Sequence, residues 1–401
     1  MLPFAGIAAH AALPVFLHTA SPLQGKYAEN PVRRLERLPQ TDRRAAADSL
    51  FREGSGVTFP IVRGDTAWFV YRSDSAKKVV LSGDFNRWHP TRDTLRPIPG
   101  SGLFVRPERF EPDARLDYKF CVDGKDWILD PLNPNTRTGG FGPNSEIAMS
   151  GYLSPPETAY DPSIPHGSLD SLVFRSPSLG NERAVSVYLP PGFSDQACGM
   201  LPLLLVTDGG EYITLGSMRN ILDYLIHSGA IPRIIAVFVN PLDRNREYWA
   251  NPDYERMLAV ELVPWVETRY PTARTASHRG ILGASLGGLT ALDTFLSHPD
   301  VFGLCVSQSG AFWVDHAVMV DRVRNVEAVS GRVSLDWGTY EPEIPELNKT
   351  VAVLLSERGA RVRTAEFHEG HSWGSWRAHV GDALRFVFGK ADLNPNDPGV
   401  Q

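Results

Sequence analysis

Cysteine is scarce in this chain, with three among 401 residues: Cys121, Cys198 and Cys305. They are far apart, odd in number and not in metal-ligand spacing. They support neither a disulfide framework nor a zinc site, and read as packing residues. Basic tracts are missing too: 40 Lys and Arg against 46 Asp and Glu leave a net charge of −6, spread along the chain. Without a positive stripe there is nothing to attract a polyphosphate, which argues against a nucleic-acid partner. The first residues hold one extended apolar stretch, LPFAGIAAHAALPVFLHTA (residues 2–20), but it contains two histidines and two prolines, and no Lys or Arg precedes Lys26. A signal peptide needs a positive n-region, and His18 would fall at position −3 of a cut after Ala20. The expectation is a loosely docked leader on a cytoplasmic protein, set against a cleaved signal on a periplasmic or secreted one. No run elsewhere is long enough to span a membrane.

The remaining sequence has two textures, and its length allows two separate cores. Residues 1–55 comprise the leader and a charged segment, PVRRLERLPQTDRRAAADSLFRE, whose apolar spacing predicts short helices. Across 56–150 the pattern becomes β, in VTFPIVRGDTAWFVYRS, KKVVLSGDFNRW, GLFVRPERF and RLDYKFCVDGKDWILD. Short alternating runs between Gly, Asp and Pro turns predict a small antiparallel sandwich. LSPPETAYDPSIPHGS supplies a Pro- and Ser-rich linker, taken as 151–168. From 169 to 390 apolar strand candidates recur at 185–189, 201–208, 234–240, 280–285, 304–310, 332–338 and 362–368, mostly separated by helical periods. That alternation predicts an α/β domain with a mainly parallel sheet covered on both faces, followed by a tail at 391–401. Ligands bind such sheets at the carboxyl ends of the strands.

One strand end carries Gly283-Ala284-Ser285-Leu286-Gly287, a G-x-S-x-G sequence between a strand and a helix. A sharp turn there lifts the Ser285 hydroxyl above the sheet, and small residues two positions away on each side let neighbouring backbone pass. The N–H of Leu286 at the helix start can meet a developing oxyanion. A serine nucleophile needs a base. His371 follows the last strand, where the order Ser, acid, His places it. His368, three residues earlier, reads as a core histidine. The acid belongs after the preceding strand, where Glu341 lies beyond Gly338 on a loop and Asp336 lies within the apolar run. Both remain candidates, with Glu341 better placed to fix the imidazole tautomer. Asp208-Gly209-Gly210 follows the LPLLLVTD strand, and Gly209 and Gly210 can offer backbone N–H groups as further oxyanion donors, or simply make a turn.

With these residues placed, 168–389 resembles the enterochelin-esterase-like branch of the α/β-hydrolases, which includes feruloyl and acetyl xylan esterases. The resemblance rests on RAVSVYLPPGF, LLLVTDGGEY, RNREYWANPDYERMLAVELVPWVETRY, GILGASLGGLTAL, WGTYEPE and GHSWGSWR. It implies ester hydrolysis through Ser285, Glu341 and His371. Ser372 stands where the family more commonly has Asp after the histidine. The β segment resembles the glycogen-binding module of AMP-activated kinase β subunits, through VVLSGDFNRW, LDYKFCVDGKDWILDP and GPNS. That likeness implies an immunoglobulin-like sandwich, with Trp88, Lys119, Trp127 and Asn144 at sugar-contacting positions. Siderophore esterases also carry an immunoglobulin-like domain, which packs over the active site.

Two substrate classes follow. A catecholate siderophore trilactone is anionic and aromatic when it carries iron. Arg244, Arg246 and Arg377 suit its oxygens, and Trp249, Trp373 and Trp376 suit its rings. A feruloyl or acetyl ester of a polysaccharide would instead use the sugar positions of the sandwich. Acyl transfer of this kind requires no cofactor or metal, and any iron would arrive with the substrate. A purely carbohydrate-binding, non-catalytic protein would leave Ser285 and His371 without a purpose. The sequence does not address oligomeric state.

Overall fold

Along Thr66–Arg72 (TAWFVYR) successive side chains go to opposite faces, and both faces are covered. Ala67 and Phe69 enter a core with Leu81, Leu116, Tyr118 and Phe120, whereas Trp68 and Val70 meet Val32, Leu35, Ala47 and Leu50 on the other side. The second group belongs to two short helices, Pro31–Arg37 and Arg43–Leu50. Asn30 caps the first by accepting the Val32 N–H at 2.8 Å. These features come from a computed structural model, which describes residues 30–140, 142–194 and 199–389. The leader at 2–20, Cys198 and the tail lie outside the described residues.

Ten strands build this half: β1 (Ile61–Arg63), β2 (Thr66–Arg72), β3 (Val79–Gly83), β4 (Asp93–Thr94), β5 (Arg96–Ile98), β6 (Leu103–Arg109), β7 (Arg115–Val122), β8 (Asp126–Ile128), β9 (Thr136–Gly139) and β10 (Gly142–Ala148). They form two antiparallel sheets, β1-β2-β6-β5 and β4-β3-β7-β10-β9, with β8 beside β7. The Pro-rich segment that follows is strapped to the second half. Asp223 receives the Gly167 N–H at 2.8 Å and pairs with His166 Nδ1 at 2.9 Å, and the buried Glu157 holds Arg385 at 2.7 Å.

The second half is an eight-stranded sheet made of β11 (Ser168–Ser176), β12 (Asn181–Leu189), β13 (Leu203–Val206), β14 (Ile235–Val239), β15 (Arg279–Ala284), β16 (Leu304–Gln308), β17 (Arg332–Gly338) and β18 (Arg361–Phe367). Its order is β11-β12-β14-β13-β15-β16-β17-β18. The last six in that order are parallel, while β12 runs antiparallel to both of its neighbours, β11 and β14. Strand β11 has no counterpart among the sequence-predicted strands. It is an edge strand on which only Phe174 and Ser176 are buried, so it lacks the apolar alternation that reveals a strand. Leu203 and Leu205 pack to one side of the sheet, Leu204 and Val206 to the other, each against its own layer of helices. The strand order reverses at β13, with β14 on one flank and β15 on the other. At such a switch ligands bind beyond the carboxyl ends of the strands, and Asp208 and Ser285 lie there.

Candidate active site

At the end of β15 the chain turns sharply into the helix Leu286–Ser297, and Ser285 adopts φ 57° and ψ −122°. Such a backbone is costly for a residue with a side chain and persists only where neighbours hold it. Here the Ser285 N–H donates to the Gln308 carbonyl at 2.9 Å, while its own carbonyl accepts from Ala311 and Leu289, each at 3.0 Å. The flanking glycines are steric necessities. A Cβ on Gly283 would lie 2.1 Å from the Gly287 carbonyl oxygen, and one on Gly287 would lie 2.7 Å from Thr207 Oγ1.

His371 precedes the helix Trp373–Phe388, whose N-cap is Ser372. Its Nε2 lies 2.9 Å from Ser285 Oγ and its Nδ1 lies 2.8 Å from Glu341 Oε1. The second oxygen of Glu341 accepts the Gly338 N–H at 3.0 Å. The Glu341 side chain is wholly buried, whereas that of His371 is 38% exposed. Glu341 is thus sealed from water, while His371 is partly open to it. With a proton on Nδ1 toward Glu341, Nε2 is free to accept the Ser285 proton. Trp376 packs edge-on against the imidazole at 4.9 Å.

Of the two candidate acids, only Glu341 touches His371. Asp336 is buried on β17, where Gln308 Nε2 donates to both of its oxygens at 3.3 Å. Burial lifts its carboxyl to about 7. A folded pKa above the unfolded value means the native state holds the proton more tightly. Stability is then fullest below about pH 4 for this group and declines as pH rises toward 7. Asp336→Asn is expected to remove that decline, raising Tm at pH 8 relative to the parent and changing it little at pH 4. Thermal melts across pH check this.

Several sequence expectations need correction. The Asp208-Gly209-Gly210 stretch is a strand-to-helix junction, since the helix Gly209–Thr214 starts there. The Gly210 N–H is taken by Asn240 Oδ1 at 2.7 Å, so it leaves the set of candidate oxyanion donors, and Gly209 and Leu286 remain candidates. Arg244 is not a free cation: its guanidinium grips Asp208 at 2.9–3.2 Å. Trp373 and Trp376 are core residues, 7% and 6% exposed, packed on Tyr212 and on each other rather than offering ring faces. Their apolar surface is worth more inside the domain than at its mouth. His368 is not a core residue either, because it sits at the surface paired with Asp113 at 2.7 Å.

Two predicted cations have no carboxylate partner among the described residues. Arg246 is exposed, and its side chain has no partner among the described residues. Arg377 is half-buried and donates to the Leu215 carbonyl at 3.3 Å, with no carboxylate pairing to it among the described residues. Burial, then the nearby guanidinium groups of Arg115 and Arg137, hold its pKa below the ordinary value.

The two amino-terminal sheets grip the loops that carry Glu341 and His371. Tyr340 donates to Glu111 at 2.6 Å, and the Arg115 N–H donates to the His368 carbonyl at 3.1 Å. The buried Arg115 guanidinium reaches Ser372 Oγ at 3.0 Å while paired with Asp117 and Glu146. The sugar-type residues are divided by this arrangement. Trp88 Nε1 donates to Asp84 at 3.0 Å and Asn144 Nδ2 donates to Asp117 at 3.1 Å, whereas Lys119 is half-buried and Trp127 is 43% exposed. Among the described residues no cluster of His, Cys, Asp or Glu is placed to hold a metal ion, and no helix is long and apolar enough to cross a membrane.

A serine at the turn after the central strand of such a sheet is the α/β-hydrolase arrangement. The chain belongs to the esterase family, whose model matches residues 176–387, a little over half of its length. It is similar to the iron(III) enterobactin esterase of Escherichia coli K12, with 27% identity over 269 residues, 64% of this chain and 66% of that protein. The match therefore spans just under two thirds of that relative. Its fold is similar to that of the enterobactin esterase of Shigella flexneri, solved in the presence of enterobactin, with a TM-score of 0.70 and 23% identity over 80% of this chain and 92% of that one. That share exceeds what residues 168–389 alone supply, so the likeness reaches into the amino-terminal strands. The chain is also 27% identical, over 55% of its length, to 31% of an endo-1,4-β-xylanase/feruloyl esterase of Xylanibacter ruminicola.

Proposed function

We propose that the protein is a serine carboxylic-ester hydrolase that cleaves a siderophore-type ester through an acyl-enzyme. The observation that carries this reading is the unbroken chain of contacts from Ser285 Oγ through His371 to Glu341. As Oγ attacks the ester carbonyl, His371 Nε2 takes its proton, and Glu341 stabilises the imidazolium. The N–H groups of Leu286 and Gly209 receive the oxyanion. Collapse of the tetrahedral adduct expels the alcohol, which takes the proton from His371 and leaves Ser285 acylated. Water, deprotonated by the same histidine, then attacks the acyl-enzyme, and the acid product departs with Ser285 restored.

The choice of a siderophore-type substrate is supported by the enterobactin esterase relatives and by Arg246 and Arg377, which suit anionic oxygens. A second reading, a feruloyl or acetyl ester on a polysaccharide, is favoured by the match to a xylanase/feruloyl esterase and by the exposed Trp127. Two measurements test the proposal. A fluorophosphonate should add its mass to the peptide containing Ser285, and labelling elsewhere or not at all overturns the nucleophile. Values of kcat/KM for a catecholate trilactone and for feruloylated xylan fragments should favour the trilactone. A preference for the sugar ester that is lost in Trp127→Ala establishes the second reading instead.

A further inference from the structure

Two indoles near the nucleophile are left half in water. Trp249 is 39% and Trp313 is 45% exposed, in contrast to the buried Trp373 and Trp376. Both lie on segments at the carboxyl ends of sheet strands, Trp249 beyond β14 and Trp313 beyond β16. The Trp313 segment is tied to the elbow by the Ala311 N–H, which donates to the Ser285 carbonyl at 3.0 Å. Trp249 follows Tyr248, whose hydroxyl accepts the Asp208 N–H at 2.8 Å and whose ring lies 3.5 Å from where a Gly287 Cβ would be. The two rings meet edge to face, with centroids 5.9 Å apart at 81°. Trp249 Nε1 donates to Asp315 Oδ1 at 2.7 Å, which fixes the orientation of that ring. Leu242 and Val318, on the same two post-strand segments, are exposed as well. Large apolar side chains left in water forgo burial energy, and a paired, exposed set of rings beside a nucleophile is the kind of surface that marks a ligand site.

We propose that Trp249 and Trp313 form an aryl-binding platform, oriented by Asp315, that selects esters carrying an aromatic ring. This rests on Ser285 being the nucleophile. The pair discriminates by stacking and edge-to-face contact, which a ring can make and a short alkyl chain cannot. It serves a catechol or a feruloyl ring equally well, so it defines a property shared by both substrate readings.

The test compares methyl ferulate and N-(2,3-dihydroxybenzoyl)serine methyl ester with vinyl butyrate, which has no ring, each followed by acid release. Trp313→Ala and Trp249→Ala are each expected to raise KM for the two aromatic esters about ten-fold, consistent with the loss of one aromatic contact. Vinyl butyrate should keep its kcat/KM within about two-fold, and Trp313→Phe should restore most of the aromatic preference. Equal losses on all three esters, or none on the aromatic ones, overturn the platform. Binding of 2,3-dihydroxybenzoate to Ser285→Ala, followed by tryptophan fluorescence, keeps the two ideas apart. If the parent hydrolyses no ester yet Trp313→Ala weakens this binding, the nucleophile assignment fails and the platform stands. Binding unaffected by both tryptophan substitutions removes the platform whatever the activity.

Discussion

Ser285→Ala is expected to lower kcat for a small activated ester by roughly 10⁴- to 10⁶-fold while leaving the melting temperature close to that of the parent. The loss is large because the substitution removes the only atom that can form the acyl-enzyme. Water in its place would have to be held by His371 and the oxyanion donors alone. The fold should survive because the turn is held by main-chain bonds to Gln308, Ala311 and Leu289, none of which involves the hydroxyl. Alanine also tolerates the φ of 57° about as well as serine does, since each presents one unbranched Cβ to that backbone. Pre-steady-state release of 4-nitrophenol gives a second readout. The parent should show a burst matching the enzyme concentration if deacylation is slow, and the variant should show none. Retained turnover in Ser285→Ala, with the protein folded, would sink the elbow assignment.

The parts of the site that were legible in the sequence are those where geometry leaves little choice. Gly283 and Gly287 are demanded by atoms that a Cβ would strike, so the elbow shows as a pattern. His371 stands out by its place after the last apolar strand run, and in the fold it lies beyond β18. What the sequence conceals is which face a side chain takes. Trp373 and Trp376 open the last helix next to the base, and only packing shows that they turn into the core under Tyr212. Trp313 lies on an irregular stretch with no periodicity to display, and its one visible signal was its position just after a central strand. Arg244 looks like a free cation until Asp208 appears beside it, and Gly210 looks like a free donor until Asn240 does. These partners are distant in sequence, 36 and 30 residues away, so local reasoning does not find them. The strap at 151–167 was hidden for the same reason: its Pro and Ser content reads as a linker, while Asp223, Asn220 and Arg385 hold it down.

Glu341→Gln should lower kcat by about 10³- to 10⁴-fold, while Asp336→Asn should leave it nearly unchanged. The reason is that both oxygens of Glu341 accept: one faces the Gly338 N–H and the other faces His371 Nδ1. A glutamine offers one acceptor and one donor. If its NH₂ turns to Gly338, two donors meet inside a buried pocket, which leaves both unsatisfied. If it turns to His371 instead, Nδ1 must accept, and the ring proton moves to Nε2. That tautomer cannot take the proton from Ser285, so the base is present but wrongly poised. The loss should fall on kcat with KM little altered, because nothing that binds substrate has moved. Assayed at pH 8, above the Asp336 pKa of about 7, Asp336→Asn removes a charge of the same sign from a strand nearby without touching the imidazole, and so controls for electrostatics at a distance. If the two variants exchange their effects, the triad acid is Asp336 and the arrangement of His371 on Glu341 is not the one that works.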